Sequence, residues 1–299
     1  MKCQDSLRDR GYPAILVIFH NIGFIPNIQD RRSFFSGAGG KAHRGTRRVL
    51  AAARGGALGS APVREAGRPA SPRRRPGIRL QNPEGRIPMK LYYDPRTVNC
   101  RKVVAGFKHM GVDFDSEDVD YFAQGQQSPD YMAINPNAAL PALVDGDLKL
   151  WESNAILQYG ADKVGAEGAY PSDLATRADV NRWLLWESSA WFPTCYVYLV
   201  ENVVKPILEA EPDQAILDGE GPNFHKHAAI LDDRLDGQDW LCGTPEPTIA
   251  DIAVASPMHL HRYQQLPLGE HPNLSAWMGR MEALPAWEST DVAPLLGLA

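Results

Sequence analysis

Thr97-Val98-Asn99-Cys100-Arg101-Lys102-Val103 sets a hydroxyl, a carboxamide and a thiol side by side, just after the strand-like run Lys90-Leu91-Tyr92-Tyr93 and the turn Asp94-Pro95-Arg96. A loop running from a strand into a helix gathers unpaired N–H groups and the positive end of the helix macrodipole. An anion such as a thiolate is stabilised there, and a hydrogen bond donated by Thr97 or Asn99 lowers a thiol's pKa further. The thiolate is the reactive form. Thr97 also reads as a plain helix N-cap, and Asn99 as a solvated first-turn residue. Thr97 and Cys100 have the spacing of a CxxC pair whose attacking cysteine is replaced, so Cys100 reads as a small buried hydrophobe.

A second constellation spans residues 135–154, NPNAALPALVDGDLKLWESN. Asn135-Pro136-Asn137 is turn chemistry. Pro141 cannot donate to a ladder, so it belongs at a strand start or edge. Ala142-Leu143-Val144 and Leu148-Lys149-Leu150 flank Asp145-Gly146-Asp147, a hairpin signal. Glu152 and Ser153 then open a helix marked by Ala155, Ile156 and Tyr159, which puts a carboxylate and a hydroxyl beside free N–H groups. On local pattern alone this is a hairpin and an N-capped helix.

The string resembles the glutathione-binding part of the glutathione transferases. That family has a thioredoxin-like domain with a cis-proline before its third strand, here Leu140-Pro141, and an acidic residue plus serine opening the next helix, here Glu152-Ser153. The resemblance implies that Leu140 meets the ligand's cysteine through its main chain, in the manner of an added strand. It implies that Glu152 takes the γ-glutamyl ammonium and Ser153 its carboxylate. The sulfur would lie at Thr97 and Asn99. Thr97 aligns with the serine of theta-like members, and Thr97 with Asn99 resembles the bacterial nu-like members. Ala138 and Ala139 stand where many relatives carry Gly and then Lys or Gln for the glycyl carboxylate. Asn137 or a glutamine from 124–127 would have to replace that contact.

The elements that must position these groups follow from periodicity. Val103, Val104, Phe107 and Met110 make a helical stripe that stops at Gly111. Residues 114–119 alternate weakly as a second strand, and Ser128-Pro129 opens a short helix with Tyr131, Met132 and Ile134. The expected fold is an α/β thioredoxin-like layer over 89–165 followed by an all-helical part over 172–299. In the latter, Pro193 predicts a kink or break in the segment 174–204. Phe224, Ala228, Leu231 and Leu235 share one helix face, Thr248 to Asp251 has the form of a capping box, residues 273–284 form a further helix and Trp287 closes the packing. Trp183, Trp186, Trp191 and Tyr198 read as core from their spacing. The family resemblance instead implies that this helix lines an apolar or aromatic co-substrate site.

Charge divides the chain. Residues 1–88 hold 17 Lys and Arg against 5 Asp and Glu, which leaves 14 against 31 for 89–299. The acidic body argues against nucleic-acid binding by the globular part. The Gly-, Ala-, Pro- and Arg-rich stretch 37–88 has too little apolar surface to offset its ordering entropy. Residues 1–88 therefore read as a disordered basic extension, with three origins open: a transit peptide, a basic tail, or a mis-assigned start ahead of Met89. Cys3, Cys100, Cys195 and Cys242 have neither CxxC nor metal-ligand spacing, and His259 and His261 point to different helix faces, so no metal is expected and a reducing, cytoplasmic setting is. No apolar run reaches the roughly 18–20 residues of a spanning helix. The expectation is a homodimeric enzyme that conjugates glutathione to a small electrophile. Reduction of disulfides or peroxides in the nu-like manner, and a non-catalytic binding module, are its rivals.

Overall fold

The computed structural model describes residues 89–298, and the expectations for residues 1–88 lie outside them. In chain order β1 (Lys90–Tyr93), α1 (Val98–Met110), β2 (Asp115–Asp118), α2 (Pro129–Met132), β3 (Ala142–Asp145), β4 (Leu148–Trp151) and α3 (Ser153–Val164) build an α/β layer. The sheet order is β2-β1-β3-β4. β1 runs parallel to β2 and antiparallel to β3, which pairs with β4 as a hairpin through Gly146 at φ 60°. Leu91 and Leu143 lie opposite each other in the central pair and are wholly buried. Burying a leucine side chain contributes about 1.5–3 kcal/mol. The outer strand β2 reads DSED and is exposed throughout. Charge on an edge discourages further strand pairing.

Helices α1 and α3 lie closely packed. A Cβ on Gly160 would collide with the Phe107 ring, and one on Gly106 with Leu157. Those two glycines let the helix that carries Asn99 approach the helix that carries Ser153. Gly111, at φ 66°, caps the α1 stripe as its position suggested.

The remainder is helical. α4 (Leu174–Trp186) passes through a π-helical segment (Glu187–Trp191) into α5 (Phe192–Leu199), a second π segment (Val200–Val204) and a last turn, α6 (Lys205–Ile207). The break expected at Pro193 is therefore a change of winding inside a continuing helix. The Phe192 N–H bonds to Glu187 C=O, five residues back, and Pro193, which has no N–H, follows at once. The second π segment likewise ends two residues before a proline, Pro206. α7 (Gln214–Arg234) buries Phe224, Ala228 and Leu231, and α8 (Ile249–Ala255) is buried at every position. α9 (His261–Gln264), α10 (Pro272–Glu282) and α11 (Pro285–Glu288) complete it. The capping box forms: Asp251 accepts from the Thr248 N–H at 2.8 Å while the Thr248 hydroxyl oxygen accepts from Ala250. Among the described residues no helix is long and apolar enough to cross a membrane.

The α/β layer and the helices meet along α1. Arg101, 4 % exposed, donates to Thr290 C=O at 2.7 Å and Trp287 C=O at 3.1 Å and stacks 3.9 Å from the Trp287 ring centre.

Candidate functional site

Two helix N-termini converge where the two constellations meet. Asn99 lies in the first turn of α1 and Ser153 is the first residue of α3; the Ser153 hydroxyl donates to Asn99 Oδ1 at 3.3 Å. The opening N–H groups of each helix have no intrahelical acceptor, so partial positive charge gathers at this point. Beside it runs the segment before β3, in which Leu140-Pro141 is a cis peptide. Among the described residues neither the N–H nor the C=O of Leu140 has a protein partner.

Glu152 precedes Ser153 at φ 73°, ψ 111°, with its side chain exposed. A non-glycine residue held there costs about 1–3 kcal/mol and persists only where its surroundings dictate it. They do so here, because β4 ends on one side and buried Ser153 is fixed on the other. Glu152 is the N-cap residue of α3, and its exposed side chain makes no cap bond.

Thr97 occupies the N-cap position of α1 without capping it. Its hydroxyl donates backward to Asp94 C=O at 3.0 Å. The carboxamide N–H2 of Asn99 makes no bond to the described residues, so of the two candidate sulfur contacts Asn99 holds the uncommitted donor. Cys100 is wholly buried, accepts from the Asp94 N–H at 3.4 Å and has its thiol pushed up to about 12 by desolvation, which removes it as a nucleophile.

Asn137 spends its main-chain and side-chain N–H groups on Asn135 Oδ1, each at 3.0 Å, inside its own turn. Ala139 C=O is taken by the Tyr131 hydroxyl and Asn135. Of the glutamines at 124–127, Gln126 has no exposed surface, and neither end of its carboxamide has a partner. A buried unpartnered amide is costly. Gln124 and Gln127, half-buried and exposed, also make no side-chain bond among the described residues, so theirs are the carboxamides of that group a ligand could reach.

The aromatic residues divide. Trp183, Trp186, Trp191 and Tyr198 do come together, but in the helical core: Trp186 stacks on Trp191 and meets His227, while Trp191 and Tyr198 both pack on Phe224. Trp191 has no exposed surface and donates to Val254 C=O at 3.0 Å, so it cannot line an open pocket. Trp183 and Tyr198 are buried as well. For Trp183, Trp191 and Tyr198 burial favours the core reading over the family-based one, and Trp186 is half-buried. Phe192 and Tyr196, one turn apart on another face, stack 5.4 Å apart and join Val98 of the α1 first turn, Val292 and Ala293. That group is the apolar wall next to Asn99.

Behind the site lies a charge pair that sequence reasoning passed over. Lys102 and Glu187 are both buried and bonded at 3.0 Å, and Lys102 also reaches Ser153 Oγ at 3.2 Å and Asn154 Oδ1 at 3.3 Å. Two signals were available: Lys102 lies one turn beyond Asn99 on the same face of α1, and Glu187 interrupts the apolar run Trp183 to Trp191. Among the described residues no cluster of three or more His, Cys, Asp or Glu side chains could hold a metal.

Comparison with known proteins agrees with this architecture. Residues 87–162 match the family model for the glutathione S-transferase N-terminal domain, and residues 214–280 that for the C-terminal domain. Glutathione S-transferase 3 of Zea mays is 32 % identical over 213 residues, covering 69 % of this chain and 94 % of that protein. The theta class glutathione S-transferase from the citrus canker pathogen Xanthomonas axonopodis pv. citri, solved with glutathione bound, is 30 % identical with a TM-score of 0.62 over 69 % of this chain and 98 % of that one. The apo form of human glutathione S-transferase T1-1 is 27 % identical with a TM-score of 0.63, covering 70 % and 89 %. The fold is a thioredoxin-like domain with a four-stranded mixed sheet joined to a helical domain. The chain belongs to the glutathione S-transferase family. These relatives come from a plant, a bacterium and a human, and they single out no subclass.

Proposed function

We propose that the protein transfers glutathione's sulfur to a small apolar or aromatic electrophile, with residues 89–165 holding glutathione and residues 172–299 contributing the electrophile wall. Glutathione lies along Leu140 to Ser153, its cysteinyl main chain on the free N–H and C=O of Leu140. Its γ-glutamyl ammonium meets Glu152 and the neighbouring carboxylate meets Ser153 at the α3 N-terminus. The glycyl carboxylate falls to Gln124 or Gln127, whose side chains reach the surface, in place of the contact missing at Ala139. The Asn99 N–H2 and the α1 N-terminus hold the sulfur as thiolate, and Thr97 keeps the loop in shape through Asp94. The thiolate attacks the electrophile against Phe192, Tyr196 and Val98; a C–S bond forms as the leaving group departs, and the thiol proton goes to solvent. The protein supplies thiolate stabilisation and proximity with no covalent intermediate.

The observation that carries this reading is the meeting of Asn99 and Ser153 at two helix N-termini, beside an unpartnered Leu140 main chain. A homodimer belongs to the same reading, supported by exposed Leu148 and Trp151 on the edge strand β4 and by Leu185 on α4, and light scattering tests it. So does a reducing, cytoplasmic setting, which suits the free thiols of Cys100, Cys195 and Cys242.

The decisive test is turnover of a halonitrobenzene together with the pKa of bound glutathione. Asn99→Ala is expected to lower kcat/KM by about tenfold to a hundredfold, the value of one hydrogen bond to a charged group, and to raise the bound thiol's pKa. An unchanged rate would move the sulfur contact to Thr97. Reduction of mixed disulfides by a wild-type chain inert toward halonitrobenzene would overturn conjugation.

A further inference from the structure

The inference concerns the buried cation under the proposed γ-glutamyl subsite and rests on that reading. Lys102 is 2 % exposed, and its ammonium is fully engaged, by Glu187 Oε1 and Oε2 at 3.0 Å each, Asn154 Oδ1 at 3.3 Å and Ser153 Oγ at 3.2 Å. An ammonium has only donors. The Ser153 oxygen must therefore accept from Lys102, and the single Ser153 proton must point elsewhere. It goes to Asn99 Oδ1 at 3.3 Å, on the side chain proposed above to hold the sulfur.

We propose that Lys102, held by Glu187, is a positioning residue: it makes Ser153 an obligate donor toward the γ-glutamyl carboxylate and couples occupation of that subsite to Asn99. A carboxylate is a stronger acceptor than a neutral amide oxygen. When glutathione binds, the Ser153 hydroxyl turns from Asn99 Oδ1 to the ligand, the Asn99 carboxamide is released, and its N–H2 can settle on the sulfur. Without Lys102 the serine oxygen is free to accept from any donor, including the ligand's own ammonium, and the preference for a carboxylate is lost. Glu187 is required because removing one partner of a buried ion pair leaves an uncompensated charge, which is strongly destabilising. Asn154 keeps Glu187 in place, donating to its Oε2 at 3.0 Å and to Leu184 C=O at 2.8 Å. The recognition of a ligand held by the α/β layer thus depends on the first residue of a π segment in the helical part.

The experiment uses the full chain and two peptides, glutathione and its analogue 4-aminobutyryl-cysteinylglycine, which lacks the γ-glutamyl carboxylate. Wild type is expected to bind glutathione at least about tenfold more tightly in calorimetry. Lys102→Met with Glu187→Met removes both charges together, the exchange a buried pair tolerates best. This double variant should bind the analogue as wild type does and lose the preference for glutathione. A retained preference, or equal weakening for both peptides, overturns the proposal, since a merely structural pair would not distinguish them. Wild type that binds neither peptide sinks the γ-glutamyl reading itself, and the proposal with it. A second measurement needs no variant fold: γ-glutamyl-alanyl-glycine, which has the carboxylate and no sulfur, should shift the side-chain amide resonances of Asn99 in wild type, while the same peptide without the carboxylate leaves them in place. Equal shifts, or none, would also overturn the coupling.

Discussion

Asp251 offers the sharpest quantitative test of how the helical part is held. Its carboxylate is wholly buried and accepts from Thr248 N–H at 2.8 Å, Leu241 N–H at 2.9 Å and Trp277 Nε1–H at 3.0 Å, with the Thr248 hydroxyl also 3.0 Å away. It therefore joins α8, the loop before it and α10. Asp251→Ala strands three buried donors, at about 1–3 kcal/mol for each. The sum, reduced for local relaxation, comes to about 3–6 kcal/mol, a large share of the roughly 5–15 kcal/mol that holds an ordinary domain folded. Asp251→Asn keeps an acceptor for Leu241 and Trp277 and sets an N–H2 against the Thr248 N–H. It should cost about 1–3 kcal/mol, the loss of one buried bond. Urea unfolding followed by tryptophan fluorescence, at one fixed protein concentration, gives both numbers from the midpoint shift at constant slope. An alanine variant within 1 kcal/mol of wild type, or an asparagine variant as damaged as the alanine one, would refute the reasoning (both thresholds are about the error of the method).

Two further outcomes follow from other contacts. Burial works to raise the Asp94 carboxyl, but bonds from the Arg96 side chain and from the Arg96 and Tyr121 N–H groups prevail, and its pKa is lowered. Its contribution is present above the unfolded value of about 3.9 and is lost as pH falls through the lower folded value, so Asp94→Asn should flatten the acid limb of stability below about pH 4; an identical acid limb in the variant would count against it. Phe192→Ala is expected to raise KM for an aromatic electrophile roughly three- to tenfold and leave KM for glutathione alone, whereas Trp191→Phe should lower stability without altering electrophile selectivity; steady-state kinetics and melts on both variants would expose the opposite pattern.

What could be read from the sequence was local. Gly111 and Gly146, the Asp-Gly hairpin and the Thr248–Asp251 box are each decided by a few adjacent residues, and each forms where its signature lies. The meeting of Asn99 with Ser153 was legible only through resemblance, because 54 residues separate them and nothing in either stretch announces the other. The aromatic helix admitted two readings, core from its own pattern and substrate wall from the family resemblance. Trp183 and Trp191 are buried and Trp191 packs on Phe224 of α7, whereas Phe192 and Tyr196 stack on each other on another face. Neither Lys102 nor Glu187 is marked by its own neighbours in the chain as buried, and only the packing of α1 on the π segment makes them partners.

That π segment also ties two sequence features into a matched set. A π turn absorbs one extra residue while the helix on either side keeps its facing. The chain from Glu187 to Trp191 therefore behaves as an α-helix carrying a one-residue insertion, with exposed Ser188 and Ser189 as the surplus stretch. Deleting one of those serines alone would tighten the turn and drive a carbonyl into the Pro193 ring, and replacing Pro193 alone would leave the wide turn without its reason. Made together, the two changes give an uninterrupted helix with Phe192 and Tyr196 still facing α1. The damage from either should be largely cancelled by the other, a form of dependence between neighbouring positions that comparison of single substitutions would miss.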